Sequence, residues 1–248
     1  MIDEHRIAEA LSAVRDPELD EPITDLGFVK EVRIDGGQVA VTLWLPTYFC
    51  APNFAYIMAV DAKAAVGAID GVTDVAIRLV DHHAADEING GLADGKDFDE
   101  TFPGETAGSG LAEVRLRFDR KAFVARQQQL YRSLVEDGLS PAEILALTVA
   151  DLPPTPDARR YLDRRARAGL DTSGSAPFLV DLDGKAITED TLERHLLFAR
   201  TVSVSIEGNA SFCRGLLATR YGLSPPGDGG CPPDKGGESR QGVEEACS

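Results

Sequence analysis

Two alternating segments joined by a tight turn place the strongest limit on how this chain folds. Phe28 to Ile34 and Gln38 to Leu45 flank Asp35-Gly36. That dipeptide predicts an antiparallel hairpin, because both central positions of a type I′ turn need positive φ. In the second segment Val39, Val41, Leu43 and Leu45 share one parity, and Ala40, Thr42 and Trp44 the other. Alternate side chains of a strand leave on opposite faces, so one face must be covered. The cover is found on both sides in sequence. Ile7, Ala8, Leu11 and Val14 recur at helical spacing and predict a helix from about Glu4 to Val14, ended by Asp16-Pro17. Phe54, Ile57, Met58, Ala65, Ala68 and Ile69 mark the stripe of a second helix closed by Asp70-Gly71, and Val75, Ile77 and Leu79 give a third strand. The fold class expected is α+β: a small α-β-β-α-β two-layer sandwich over residues 1–83, followed by a mainly helical second region.

The connection from the second strand to the second helix, Leu45 to Asn53 (LPTYFCAPN), carries the chemistry. Pro52 suits a first helical turn, where its missing N–H costs no hydrogen bond. Cys50 therefore falls at or just before a helix N-terminus, where free N–H groups and the helix dipole favour a thiolate that binds a metal or attacks. Thr47 is placed to fix this loop by hydrogen bonding. The third strand runs into Asp81-His82-His83, which this topology brings toward the same loop. Thiolate plus imidazole suits iron or zinc, giving Cys50, His82 and His83 as candidate ligands. Asp16 and Glu18 suit ordering their own loop through backbone contacts, and with Asp81 are further sources of an oxygen ligand.

Composition narrows the function classes. A formal charge of −16 over 248 residues disfavours non-specific binding to nucleic acid or docking on an anionic membrane. No apolar run approaches the roughly 20 residues that span a bilayer, and the charged start MIDEHRIAEA is unlike a signal peptide, so a cytoplasmic location is expected. Cys50, Cys213, Cys231 and Cys247 contain no CxxC pair, which argues against a zinc ribbon or a disulfide scaffold. Cys213, beside Phe212 and Leu216, reads as core.

Residues 84–110 are acidic and glycine-rich and read as a linker or mobile loop. Beyond them, Val114, Leu116 and Phe118 alternate as in a strand, Asp119 is placed to cap a helix, and Ser140-Pro141-Ala142-Glu143 is a capping box. A helix with Arg159, Arg160, Arg164, Arg165 and Arg167 reads as a solvated face, and Phe178 to Leu182 as a strand. Thr188 to Tyr221 is helical with a break expected at Gly208-Asn209, so the second region spans 111–223. Residues 224–248 have almost no apolar content and predict a disordered tail.

Asp16-Pro17-Glu18-Leu19, Pro22-Ile23, Asp25-Leu26-Gly27-Phe28-Val29, the Asp35-Gly36 hairpin, Thr47 and Cys50, and Gly71-Val72 form an ordered string over residues 4–83. This string resembles the Fe–S cluster assembly domain family, which includes PaaD-like and SufT-like metal-sulfur cluster assembly factors. The resemblance implies a non-enzymatic factor that assembles or delivers an iron centre or iron–sulfur cluster, held transiently, with zinc as another metal. Cys50 maps onto the family's functional loop cysteine. The commoner loop has threonine four residues before the cysteine and proline directly after it. Here Thr47 is three before and Ala51 intervenes, which points to a specialised client. The partners implied are assembly proteins and a client metalloenzyme, with a di-iron monooxygenase as the specific expectation. The second region would then recognise the client or form a homo-oligomer. Two other readings remain at this stage: a cysteine-dependent enzyme with Cys50 as nucleophile and His82 or His83 as base, and a non-catalytic scaffold.

Overall fold

The computed structural model describes residues 2–104 and 110–223. The proposed tail, with Cys231 and Cys247, lies outside the described residues.

The first unit follows the expected order. Helix α1 (Glu4–Ser12) is capped by Asp3, whose carboxylate accepts the amide of Arg6 at 2.9 Å. Strands β1 (Val29–Asp35) and β2 (Gln38–Leu43) pair antiparallel, and β3 (Asp74–Leu79) pairs parallel to β2, leaving β2 central. Asp35 pairs with Gln38, so the turn residues are Gly36-Gly37 and not Asp35-Gly36. Of these two glycines, only Gly36 has positive φ, at 58°, which departs from the type I′ expectation. Gly37 is needed for a different reason: a Cβ there would meet Thr73 Oγ1 at 2.7 Å.

Helix α2 (Pro52–Gly67) begins at proline, as its sequence demands. It lays Ala55, Met58, Ala59, Ala62 and Val66 into one core with Val39, Val41, Leu43, Val75, Ile77 and Leu79. Phe54, half-buried at the edge of that core, meets Phe118 edge-on with ring centroids 4.9 Å apart. The first unit is thus the α-β-β-α-β two-layer sandwich.

The linker expectation for 84–110 fails where the chain is described. Helices α3 (Ala85–Asp94) and α4 (Phe98–Thr101) bury Ile88, Leu92, Phe98 and Phe102 in the first core. Asn89 exchanges two hydrogen bonds with the backbone of Leu79, at 2.8 and 2.9 Å, and so occupies part of the free edge of β3. Acidic and glycine-rich composition hid two i, i+4 apolar pairs, which suffice to dock short helices on an existing core.

The second unit is helical. Helix α5 (Gly110–Glu136) includes Val114 to Phe118, so the strand expected there is absent and Asp119 lies inside a helix instead of capping one. Three alternating residues do not separate a strand from one side of a helix. Helix α6 (Pro141–Ala146) starts with the expected Ser140–Glu143 capping box. After a 3-10 turn at Val149–Asp151, α7 (Pro156–Arg167) and α8 (Glu189–Tyr221) complete the unit. Phe178, Leu179 and Val180 form no strand, only isolated bridges from neighbouring residues and Val180, because all three are buried in the second core with Phe123, Tyr161 and Leu192. The Arg159–Arg167 face is not wholly solvated. Arg165 is 1% exposed and donates to the backbone oxygens of Asp171, Pro177 and Phe178 at 2.6, 2.8 and 3.1 Å. No break occurs at Gly208-Asn209, and α8 puts Leu192 and Ala199 in the second core and Ala210 and Leu217 in the first.

Candidate functional site

The Cys50 loop leaves β2 through Trp44, whose indole N–H donates to the carbonyl of Gly27 at 2.7 Å. Leu45 and Pro46 are buried and anchor the loop stem. The chain then turns through Thr47 to Cys50 and enters α2 at Ala51, the residue preceding Pro52. Thr47 Oγ1 lies 3.2 Å from Cys50 Sγ, so the two residues singled out in the loop touch.

His82 acts on the loop from the end of β3. Asp81 adopts φ of 54°, a left-handed conformation that is unusual for a residue with a side chain, and it turns the following histidines toward the loop. His82 Nδ1 accepts the amide of Ala84 at 3.1 Å, which puts the ring proton on Nε2, and Nε2 donates to the carbonyl of Cys50 at 2.7 Å. Burial holds His82 below its ordinary pKa, with the Cys50 carbonyl acting in the opposite direction and the charges of His83 and Arg220 in the same one. His82 is 4% exposed. Both of its ring nitrogens are occupied by backbone partners, so in this arrangement it staples the loop and has no lone pair for a metal or a proton. The ring's place in this arrangement is thus structural, bridging the Cys50 carbonyl and the Ala84 amide.

His83 is exposed, and its amide donates to the carbonyl of Tyr48 at 3.0 Å. Its ring centroid lies 5.7 Å from that of Phe49 and 6.2 Å from that of Tyr48. These aromatics form an open rim beside Cys50, with Phe49 78% and Tyr48 48% exposed. Among the described residues, no group of three or more His, Cys, Asp or Glu side chains converges as a metal site.

Asp16 is buried, and its Oδ1 accepts the amides of Glu18 and Leu19, each at 2.9 Å. Burial pushes its carboxyl up to about 6, against the lowering effect of those two amides. Asp16 therefore orders its loop, while Glu18 faces α8 and accepts from Asn209 Nδ2 at 3.5 Å.

The second unit completes the site, and no local pattern announced this. Arg220 donates to the carbonyls of Leu45 at 3.0 Å and Asp81 at 2.6 Å, tying the stem of the Cys50 loop to the end of β3. Tyr221 stacks on Trp44 with ring centroids 3.9 Å apart, and Arg214 pairs with Glu21. Cys213 packs against the first core on this same crossing. Its thiol is pushed up to about 11, first by burial and then by the negative charges of Asp16, Cys50 and Glu18. The one sequence hint was Arg220 itself, a cation in the last turn of a helix, but that reads equally as dipole compensation.

Clefts among the described residues lie elsewhere. One of about 270 Å³ runs between Val14, Asp61, Arg115, Asp119 and Arg164, whose charged groups already pair with one another: Arg115 with Asp61 and Arg164 with Asp119. Cys50 instead is half-buried beside the exposed Tyr48 and Phe49.

Residues 4–79 match the family described as iron-sulfur cluster assembly protein. A relative in Methanocaldococcus jannaschii, the uncharacterized protein MJ1129, is 31% identical over 90 residues, covering 93% of its own length and 36% of this chain. The chain belongs, through its first unit, to the iron-sulfur cluster assembly protein family.

Proposed function

We propose that the protein is a non-enzymatic assembly factor that carries an iron–sulfur cluster or an iron centre to a client metalloenzyme, with Cys50 as a transient ligand of the cargo. The observation that supports this most directly is the presentation of Cys50. Its thiol touches the Thr47 hydroxyl, its carbonyl is held by His82, and the exposed Tyr48 and Phe49 stand immediately before it. A fixed backbone that presents a thiol beside an exposed rim suits brief capture and release, because the ligand needs little reorganisation and the cargo remains open on one side. Thiolate suits iron and also zinc, so zinc is a competing cargo in preparations that contain it.

The second unit serves as the element that distinguishes clients, and a di-iron monooxygenase is the client class we favour, met in the cytoplasm together with other assembly proteins. No helix among the described residues is long and apolar enough to cross a membrane. The test is anaerobic reconstitution of the full chain with ferrous iron and sulfide, compared with Cys50→Ser. Loss of bound iron and sulfide in the variant, with its unfolding midpoint retained, is the expected result. Equal loading overturns the assignment of Cys50.

A further inference from the structure

We infer that the outer face of α8 is the contact surface for a second copy of this chain, the two helices crossing antiparallel about a twofold axis at Gly208.

The distribution of charge on α8 carries the inference. A helix docked on a core turns its apolar stripe inward and its charged residues outward. Helix α8 buries Leu192, Ala199, Ile206, Ala210 and Leu217, and helical spacing sets Leu197, Thr201, Val204, Gly208, Phe212 and Gly215 on the opposite side, continuing to Thr219. All seven are exposed, with Leu197, Val204 and Phe212 at 67, 60 and 66%. None carries a charge, in a chain with 41 acidic and 25 basic residues. The charged residues of the same span lie to the side of this stripe. Arg214 pairs with Glu21, and Arg200 and Glu207 line the cleft beside Asp20 and Arg126.

Two further observations fit the close approach of another helix. Glycine inside a helix lowers its stability relative to alanine. A Cβ added at Gly208 or Gly215 would meet nothing within 4 Å, so nothing within one chain calls for glycine at either place. A backbone passing over the stripe does call for it. Thr201 and Thr219 donate their hydroxyls to the carbonyls of Leu197 and Gly215, each at 2.9 Å, so both can lose solvent without leaving a donor unpaired.

Self-complementarity names the occupant. About an axis at Gly208, Val204 of one copy faces Phe212 of the other, Thr201 faces Gly215, and Leu197 faces Thr219, so every position of the stripe meets another of the same stripe. A parallel pair would set Gly215 against Gly215 and leave a gap, and it would align the two helix dipoles. An uncharged face lets two chains of formal charge −16 meet without apposing like charges. Residues 224–248, which follow α8, suit the stripe poorly because they hold almost no apolar side chains. The Arg220 ends of the two helices, each holding a Cys50 loop, lie about 36 Å apart at about 1.5 Å per residue, which keeps the crossing clear of either loop.

Sedimentation equilibrium of the full chain over a concentration series tests this. The mass is expected to rise to twice the 26.5 kDa of one chain. Gly208→Glu, which sets two carboxylates face to face at the axis, is expected to return it to one chain. At dilution that variant should keep its unfolding midpoint, since glutamate is the better helix former. Val135→Glu, at another exposed apolar position, should retain the doubled mass. Cross-linking reads the direction, in a background with Cys50, Cys213, Cys231 and Cys247 replaced by serine. Under mild oxidation Gly208→Cys should form a disulfide-linked pair, and Leu197→Cys, whose two copies would lie about 33 Å apart, should not. Single-chain mass at every concentration, the result if the stripe serves a client instead, overturns the inference, as does a doubled mass that survives Gly208→Glu. Equal cross-linking at the two positions overturns the antiparallel crossing.

Discussion

Arg220 Nη2 donates to the carbonyl oxygen of Asp81, 2.6 Å away, joining the last turn of the last helix to the residue that turns β3 toward the Cys50 loop. The same guanidinium holds Leu45 at the other end of the loop. Charge-assisted bonds of this kind contribute about 1.5–3 kcal/mol each at most, and less where solvent reaches them. Arg220→Ala is expected to lower stability by about 1–2 kcal/mol on that basis. Amide exchange should quicken in residues 44–50 and 80–83 well before the rest of the first unit. Hydrogen-exchange mass spectrometry measures this directly, and unchanged protection there would show that the loop does not depend on α8.

The two possible duties of His82 separate in metal-free protein. As a staple it holds two backbone groups, so His82→Ala leaves the carbonyl of Cys50 and the amide of Ala84 without their partner. The expected loss is about 1–3 kcal/mol of unfolding free energy. Chemical denaturation of chelator-treated protein checks it. A histidine that served only as a ligand would leave the metal-free stability unchanged.

Asp20 gathers the second unit onto the first. It adopts φ of 52° and is 2% exposed. Arg126 Nε donates to its Oδ2 at 2.5 Å, Arg164 Nη2 lies 2.5 Å from its Oδ1 as an ion pair, and Arg15 donates to its carbonyl at 2.6 Å. Arg164 also binds Asp119 of α5 at 2.7 Å. Removing the Asp20 carboxylate strands cations that are largely buried, which costs about 3–5 kcal/mol in such settings. Asp20→Ala should therefore lower the unfolding midpoint sharply. Asp20→Gly, which also relieves the left-handed backbone, should recover a small part of the loss.

Asp16 sets a pH dependence with a definite sign. Its pKa rises from 3.8 to about 6 on folding because the carboxylate is buried. Between these values the folded chain binds more protons than the unfolded one, so this group's contribution makes stability fall as pH rises from about 4 to about 6. Asn at this position still offers an oxygen to the amides of Glu18 and Leu19 and does not titrate. Asp16→Asn should therefore flatten that part of the stability profile and become the more stable protein near pH 7, by about 1–3 kcal/mol. Denaturation midpoints across pH 4–7 test both the sign and the window.

Much of the first unit was legible because its signals are local. Alternation in Gln38 to Leu45, helical spacing in Ile7 to Leu11 and the proline after Cys50 each act over a few residues and agree with one another. The Ser140–Glu143 capping box is local for the same reason. Where local signals were short or mixed, packing decided. Val114 to Phe118 alternates over too few residues, and it is helical because Phe118 meets Phe54 while Arg115 makes paired bonds to Asp61 at 2.7 and 2.8 Å. Residues 85–102 look polar, yet four apolar side chains find a core already built by the sheet and α2.

The order of strands and helices in the first unit, the position of Cys50 just ahead of α2 and the nearness of Thr47 were all determined by the sequence itself, since each depends on residues only a few positions apart. That His82 grips the Cys50 carbonyl instead of leaving a ring nitrogen free depended on the tertiary structure. So did the contacts of α8 with the first unit, Asn209 with Glu18 and Arg220 with Leu45, which join residues 191 and 175 positions apart in the chain. Hydrogen bonds and charge contacts between such distant residues exist only after both hydrophobic cores have formed, and no short-range pattern encodes them.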